Sequence, residues 1–131
     1  MNGHETILLV EDEEMVRSLA GQILERNGYN VLEALGGDEA IEICQEHKGH
    51  IHLLLTDVVM PNINGCELAK VVAPIRPKMN VLYMSGYTEH AIYKNDLLDP
   101  ENNFIQKPFN ISSLVGKVRG ILDKKEAADK N

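Results

Sequence analysis

The sequence predicts an α/β domain built on a doubly wound, five-stranded parallel sheet with helices on both faces. Short apolar runs alternate five times with segments whose apolar residues follow a helical period. The runs are almost continuously apolar, which is typical of strands that are covered on both faces. Right-handed connections between parallel strands place helices on the two sides of such a sheet.

Five segments have the length and composition of strands. In chain order they are residues 6–10, 30–34, 52–56, 80–84 and 104–106. In a parallel sheet the carboxyl ends of all strands lie at one edge, and folds of this class bind their ligands there.

A segment with helical features follows each strand. The last is the clearest, and both the first and the last have apolar residues three, four and seven positions apart. These residues are Val16, Leu19, Ala20, Ile23 and Leu24, and then Leu114, Val115, Val118, Ile121 and Leu122. Asn27-Gly28 predicts the end of the first helix, Asp38 the N-cap of the second and Pro74 a kink or end in the third. A short fourth helix is expected over residues 88–95.

Composition excludes several classes of protein. The 131 residues suffice to bury a core without disulfides or a structural metal. Thirteen basic and 20 acidic residues give a net charge of −7 with no basic stripe, so direct nucleic-acid binding is not expected. The chain shows no membrane span and no signal peptide, which favours a cytoplasmic domain without membrane contact. We expect Cys44 and Cys66 to be reduced, and the five histidines to lie at the surface.

Polar side chains stand at the ends of four predicted strands. Glu11 and Asp12 follow the first strand, Asp57 the third, Ser85 the fourth and Lys107 the fifth. The topology brings these side chains to one rim of the sheet. Because three clustered carboxylates repel one another, the rim favours a divalent cation, and oxygen ligands of this kind suit Mg²⁺.

Five segments together resemble the receiver domains of two-component response regulators. They are Leu9-Val10-Glu11-Asp12-Glu13, Thr56-Asp57-Val58-Val59-Met60-Pro61, Asn64-Gly65, Met84-Ser85-Gly86-Tyr87 and Gln106-Lys107-Pro108-Phe109. Each is a weak signal alone, but all five in order at strand ends are specific. The resemblance covers about residues 5–123 and implies the flavodoxin-like strand order 2-1-3-4-5. It makes residues 1–123 a receiver domain and residues 124–131 a polar C-terminal tail.

The resemblance also implies a role for each residue at the rim. Asp57 would accept a phosphoryl group from a phosphohistidine. Asp12 and Asp57 would bind Mg²⁺ directly, Glu11 through water, and the main-chain carbonyl of Val59 would be a further ligand. Lys107 would pair with a phosphoryl oxygen, and the peptide bond that follows it, before a proline, is predicted to be cis.

Signalling would depend on a second group of residues. Ser85 would move to hydrogen-bond the phosphoryl group, and Phe104 would turn inward behind it. The output would pass through the face made by the fourth helix, the fifth strand and the last helix. Val59 and Tyr87 flank the approach to the phosphoacceptor and are expected to keep water out, which predicts a long-lived phosphorylated state. Gly86 would leave room for the phosphodonor.

The implied partners are a histidine kinase or histidine phosphotransfer domain and a downstream protein. The segments around Asp12 and Ser85 look more like receivers of hybrid sensor histidine kinases, with a free-standing single-domain regulator as the alternative. The domain alone would catalyse only its own phosphorylation and dephosphorylation, although a parent chain could be a histidine kinase. An aspartyl-phosphate phosphatase of the haloacid dehalogenase type is disfavoured, because Val59 stands where it needs an acid. A flavodoxin-like binder is disfavoured because four acids occupy its phosphate loop.

Overall fold

The computed structural model describes residues 4–86 and 103–130. Their strands form one parallel sheet in the order β2-β1-β3-β4-β5, which confirms the predicted fold class and strand order. The strands are β1 (Thr6–Val10), β2 (Asn30–Ala34), β3 (Leu53–Asp57), β4 (Asn80–Ser85) and β5 (Asn103–Gln106). The third strand starts and ends one residue later than predicted, so Asp57 is the last residue of β3.

Four helices lie in the described part of the chain. They are α1 (Glu14–Arg26), α2 (Gly37–Glu46), α3 (Gly65–Val72) and α4 (Ile111–Lys130). The helix predicted over residues 88–95 lies outside the described residues. None of the four is both long enough and apolar enough to cross a membrane.

The sheet separates two hydrophobic cores. Side chains of a strand alternate between the two faces, and β1 shows this clearly, since Ile7 and Leu9 point to one core and Leu8 and Val10 to the other. Helices α1 and α4 cover the first core, whereas α2 and α3 cover the second. The doubly wound arrangement predicted from the apolar runs is therefore confirmed. Cys44 and Cys66 are both buried and form no disulfide bond, as expected.

The helix ends agree with the sequence in two places and differ at the start of α2. Asn27 caps α1 and Gly28 follows with a φ of 91°, and α3 ends two residues before Pro74. Asp38 is not the N-cap of α2, because Gly36 holds that position and the helix begins at Gly37. Asp38 lies in the first turn instead, where its charge is favourable to the helix dipole.

The last helix continues to Lys130, through most of the segment that the sequence sets apart as a polar tail. The apolar pattern ends at Leu122, but the segment contains three Lys, two Ala and one Glu, which have high helix propensity. A helix can therefore extend beyond the residues that attach it to the core.

A buried polar network joins α4 to the amino-terminal edge of the sheet. The Arg119 guanidinium lies 2.6 Å from Glu5 Oε2 and donates to the Tyr29 hydroxyl at 3.2 Å. Burial acts to raise the pKa of Glu5, but the hydrogen bonds from Arg119 and from main-chain N–H groups, together with the charge of Arg119, outweigh burial and hold the pKa at about 2. The network fastens α4 to the start of the sheet, at the edge opposite the predicted site.

His52 is half-buried, whereas the sequence predicts an exposed histidine. It accepts a hydrogen bond from the Thr6 N–H at 3.0 Å.

Candidate functional site

Three carboxylates meet at the carboxyl edge of the sheet, as the topology predicts. Glu11 and Asp12 follow β1, and Asp57 ends β3. One oxygen from each of the three lies within 4.8 Å of the others. Glu11 is fully buried and Asp57 is 3% exposed, whereas Asp12 is exposed. The cluster is thus mostly buried but opens to solvent at Asp12.

Lys107 brings a positive charge into this cluster from the end of β5. Its Nζ lies 2.5 Å from Asp57 Oδ1 and 3.1 Å from Glu11 Oε1. The Lys107 N–H also donates to the Ser85 carbonyl at 2.9 Å, which extends the β4–β5 pairing by one residue. The Lys107–Pro108 peptide bond is cis, as predicted.

The electrostatics of the cluster follow from its burial and its excess of carboxylates. Burial and the hydrogen-bonded Glu11 carboxylate raise the pKa of Asp57 well above its usual range, against the opposing effect of Lys107. Burial acts to raise the pKa of Glu11, but hydrogen bonds from Asp57, the Glu13 N–H and Lys107 outweigh burial. The pKa of Glu11 therefore lies below its usual value. The repulsion between the Asp57 and Glu11 carboxylates is therefore only partly offset by the Lys107 ammonium.

Ser85 and Phe104 lie on one face of the sheet, beside the cluster. In the parallel register Ser85 stands opposite Gln106, and Phe104 stands opposite Tyr83. Ser85 is fully buried, and within the described part of the chain its Oγ has no hydrogen-bond partner. Phe104 is half-buried and packs against the small cluster of Val58, Cys66 and Tyr83. The structure therefore places a buried hydroxyl, without a partner among the described residues, at the end of the strand next to the one that carries Asp57.

Two of the three residues predicted to control access are described. Val59 follows Asp57 by two positions and is 42% exposed, and Gly86 is half-buried. Tyr87 lies outside the described residues. An exposed valine without a proton-accepting group stands where a phosphatase of the aspartyl-phosphate type would need its acid.

Sequence reasoning did not identify Arg17 as part of this region. The Arg17 Nη1 donates to the Glu11 carbonyl at 2.9 Å, and its Nε lies 3.3 Å from Glu33 Oε1. An arginine one turn into the helix that follows an acidic run was the available signal. The apolar periodicity of α1 does not show where this side chain points.

Comparison with known proteins agrees with this geometry. The sequence profile of the response regulator receiver domain matches residues 7–119. The chain is 36% identical over 126 residues to the sensor kinase CckA of Brucella abortus, which covers 96% of this chain and 13% of that protein. It is 33% identical over 116 residues to the response regulator receiver protein CpdR of the same organism, covering 88% of this chain and 95% of that protein.

Solved structures give the same result. The receiver domain of the hybrid histidine kinase CckA superposes with a TM-score of 0.75 at 37% identity, covering 89% of this chain and 98% of that one. A CheY-like receiver domain from Methanospirillum hungatei superposes with a TM-score of 0.81 at 28% identity, covering 96% and 99%.

Proposed function

The chain belongs to the response regulator receiver domain family of two-component signalling, and from this membership we propose that Asp57 is its phosphoacceptor. The observation that carries the proposal is the contact between the buried Asp57 carboxylate and the Lys107 ammonium, with two more carboxylates within 4.8 Å. A turn residue at the end of a strand would not need such surroundings. A carboxylate nucleophile that receives a dianionic group needs both the cation and the acidic ligands.

The three carboxylates fit a hard divalent cation. They supply oxygen ligands at one place, they outnumber the single ammonium that the described residues bring to them, and Asp12 gives access from solvent. We propose that Glu11, Asp12, Asp57 and the main-chain carbonyl of Val59 hold Mg²⁺, with Glu11 acting through water. When bound, Mg²⁺ would offset the charge of the carboxylates and of the phosphoryl oxygens.

The residues of the chain then have separate tasks. The Asp57 carboxylate oxygen forms a bond to phosphorus while the bond from phosphorus to the histidine nitrogen of the donor breaks, and the imidazole leaves with the donor protein. Lys107 is already in contact with Asp57 Oδ1 and would pair with one phosphoryl oxygen. The Ser85 hydroxyl would donate to another, which supplies the hydrogen bond that it lacks among the described residues.

Phosphorylation would be read through the movement of Ser85. Drawing the hydroxyl toward Asp57 opens space on the side of the sheet that Phe104 shares, and Phe104 would follow. This would shift an existing equilibrium between two packings and change the surface of β5 and α4. The helix predicted over residues 88–95 would belong to the same output face.

A histidine kinase or a histidine phosphotransfer protein would supply the phosphoryl group. The chain spans 13% of the sensor kinase that it matches at 36% identity, and 95% of a receiver protein that it matches at 33%. The likeness to the receiver of a hybrid kinase supports a role in a phosphorelay. A free-standing regulator is the second candidate, supported by the match to CpdR over nearly its full length.

Intact-mass measurement tests the phosphoacceptor directly. With acetyl phosphate and Mg²⁺, we expect the wild-type protein to gain one phosphoryl group and Asp57→Asn to gain none. Excess chelator should prevent the gain in the wild type. A phosphorylated Asp57→Asn protein, or full labelling in chelator, would contradict the proposal.

A further inference from the structure

The loop between β1 and α1 carries two of the three carboxylates, and its main chain determines where one of them lies. Glu11 is fully buried and is fixed by its own contacts. Asp12 is exposed, so packing does not hold its side chain in place. The position of the Asp12 carboxylate therefore depends on the two peptide groups that flank it.

Both peptide groups have identifiable anchors. The peptide that follows Asp12 is held by the Glu13 N–H, which donates to Glu11 Oε2 at 3.0 Å. The peptide that precedes Asp12 contains the Glu11 carbonyl, and Arg17 Nη1 donates to this carbonyl at 2.9 Å. A charged donor to a carbonyl makes a stronger hydrogen bond than a neutral one, and it fixes the plane of that peptide.

Arg17 is itself held in place from the edge of the sheet. Its Nε lies 3.3 Å from Glu33 Oε1, and Glu33 stands on β2 directly opposite Leu9 of β1. The Arg17 side chain is only 14% exposed. A guanidinium can bind a carboxylate and a carbonyl at once because its donors point in fixed directions, whereas a lysine ammonium presents one point of charge.

From this arrangement we infer that Arg17 is a positioning residue for the cation site, acting on Asp12 through the Glu11 carbonyl, with Glu33 orienting its guanidinium. The inference rests on the proposed function, since it concerns the residues that would hold Mg²⁺. Arg17 does not touch the ion or the phosphoryl group. Its contribution is the geometry of the loop before a cation arrives.

Magnesium titration followed by amide NMR shifts tests this role. The loss of a group that orients a metal ligand costs about 10-fold in metal affinity, and we expect that loss in Arg17→Ala. Arg17→Lys and Glu33→Gln should each show a smaller loss, because each keeps one of the two contacts. In the metal-free protein, the Glu13 amide should exchange faster in Arg17→Ala than in the wild type.

Two control variants separate positioning from general stability. Arg26→Ala removes an exposed arginine from the last turn of the same helix, and its magnesium affinity should equal that of the wild type. Arg76→Ala removes a guanidinium that donates to the carbonyls of Cys44, His47 and Gly49, which lie at and just after the end of α2 and not in the β1–α1 loop. It should lower the melting temperature without changing magnesium affinity.

The outcomes are distinguishable. Magnesium affinity in Arg17→Ala equal to that of the wild type, even with a lower melting temperature, would overturn the inference and leave the proposed function standing. If Arg17→Ala does not fold, unchanged affinity in both Arg17→Lys and Glu33→Gln would overturn it equally. A wild-type protein that does not bind Mg²⁺ would overturn the proposed function, and the inference with it.

Discussion

Gly65 and Asp57 approach each other so closely that a Cβ added to Gly65 would lie 2.1 Å from the Asp57 carbonyl oxygen. The close approach is between the main chain at Asp57, where β3 ends, and the main chain at Gly65, where α3 begins. The Gly65 N–H also donates to the Val58 carbonyl at 2.8 Å, so the two segments are tied together at this point. Neither segment can move away without shifting Asp57, the residue that we propose as phosphoacceptor.

Gly65→Ala should therefore both destabilise the domain and impair its labelling. The added methyl group cannot be accommodated by a side-chain rotation, and we expect a loss of about 2 kcal/mol in the free energy of unfolding. Urea denaturation measures this, and the rate of labelling by acetyl phosphate should fall as well. Gly120→Ala is the matched control, because a Cβ there meets nothing within 4 Å and α4 should gain up to about 1 kcal/mol. Equal stabilities for the two variants would show that the close approach is relieved elsewhere.

Ser85→Ala should separate stability from signalling. Its hydroxyl is buried without a hydrogen-bond partner among the described residues, so its removal should leave the unphosphorylated domain as stable, or up to about 1 kcal/mol more stable. Beryllofluoride with Mg²⁺ should shift the NMR signals around Phe104 in the wild type and not in Ser85→Ala. Ser85→Thr, which keeps the hydroxyl, should retain the shift. An identical response in wild type and Ser85→Ala would contradict the switch role.

Acid should remove the contribution of Glu5 to stability. Its pKa is about 2 in the folded protein against an ordinary value of 4.5, so the folded state favours the ionised form. The contribution is fully present above pH 4.5 and is lost as the pH falls toward 2. We expect Glu5→Gln to cost about 2 kcal/mol at pH 7 and almost nothing near pH 2, as measured by urea denaturation. Asp123→Asn, which changes an exposed partner of the same arginine, should cost little at either pH.

The phosphorylated state should last minutes rather than seconds. Val59 can neither accept a proton nor orient a water for attack on the acyl phosphate, and it lies exposed two residues after Asp57. Val59→Asn should speed phosphate loss about 10-fold, which needs only about 1.4 kcal/mol. Phosphate release at fixed Mg²⁺ measures this, with Tyr87→Ala as a test of the second shielding position. Decay of the wild type within seconds, or no acceleration in either variant, would show that the shielding argument is wrong.

Much of the site could be predicted because the ends of strands can be recognised in the sequence of a parallel α/β domain. The apolar runs place Glu11, Asp57, Ser85 and Lys107 at the ends of strands. The parallel topology brings these ends to one edge of the sheet. The cis bond after Lys107 came from resemblance alone, since periodicity carries no information on peptide isomers.

Other features depend on distances that a one-dimensional pattern does not contain. Arg17 reads as a polar residue on an amphipathic helix, and only the structure shows its contact with the Glu11 carbonyl. Gly65 reads as a turn residue, although its lack of a side chain matters because β3 is so close. Asp38 has the right chemistry for an N-cap, but α2 begins at Gly37. Local propensity thus misplaced the N-cap of α2 by two residues, and neither the Arg17 contact nor the close approach of Gly65 could be predicted from the sequence.

The alternation of β1 between two cores also has an evolutionary consequence. Ile7 and Leu9 fill one core, Leu8 fills the other, and Glu11 follows just after the strand. Deleting or inserting a single residue in β1 would turn the following side chains of this strand toward the opposite core and would also displace the acidic loop. Length changes in this strand should therefore be purged by selection even when every new residue is apolar, whereas point substitutions among aliphatic residues can drift. The length of β1 thus sets the distance from the start of the sheet to the first carboxylate.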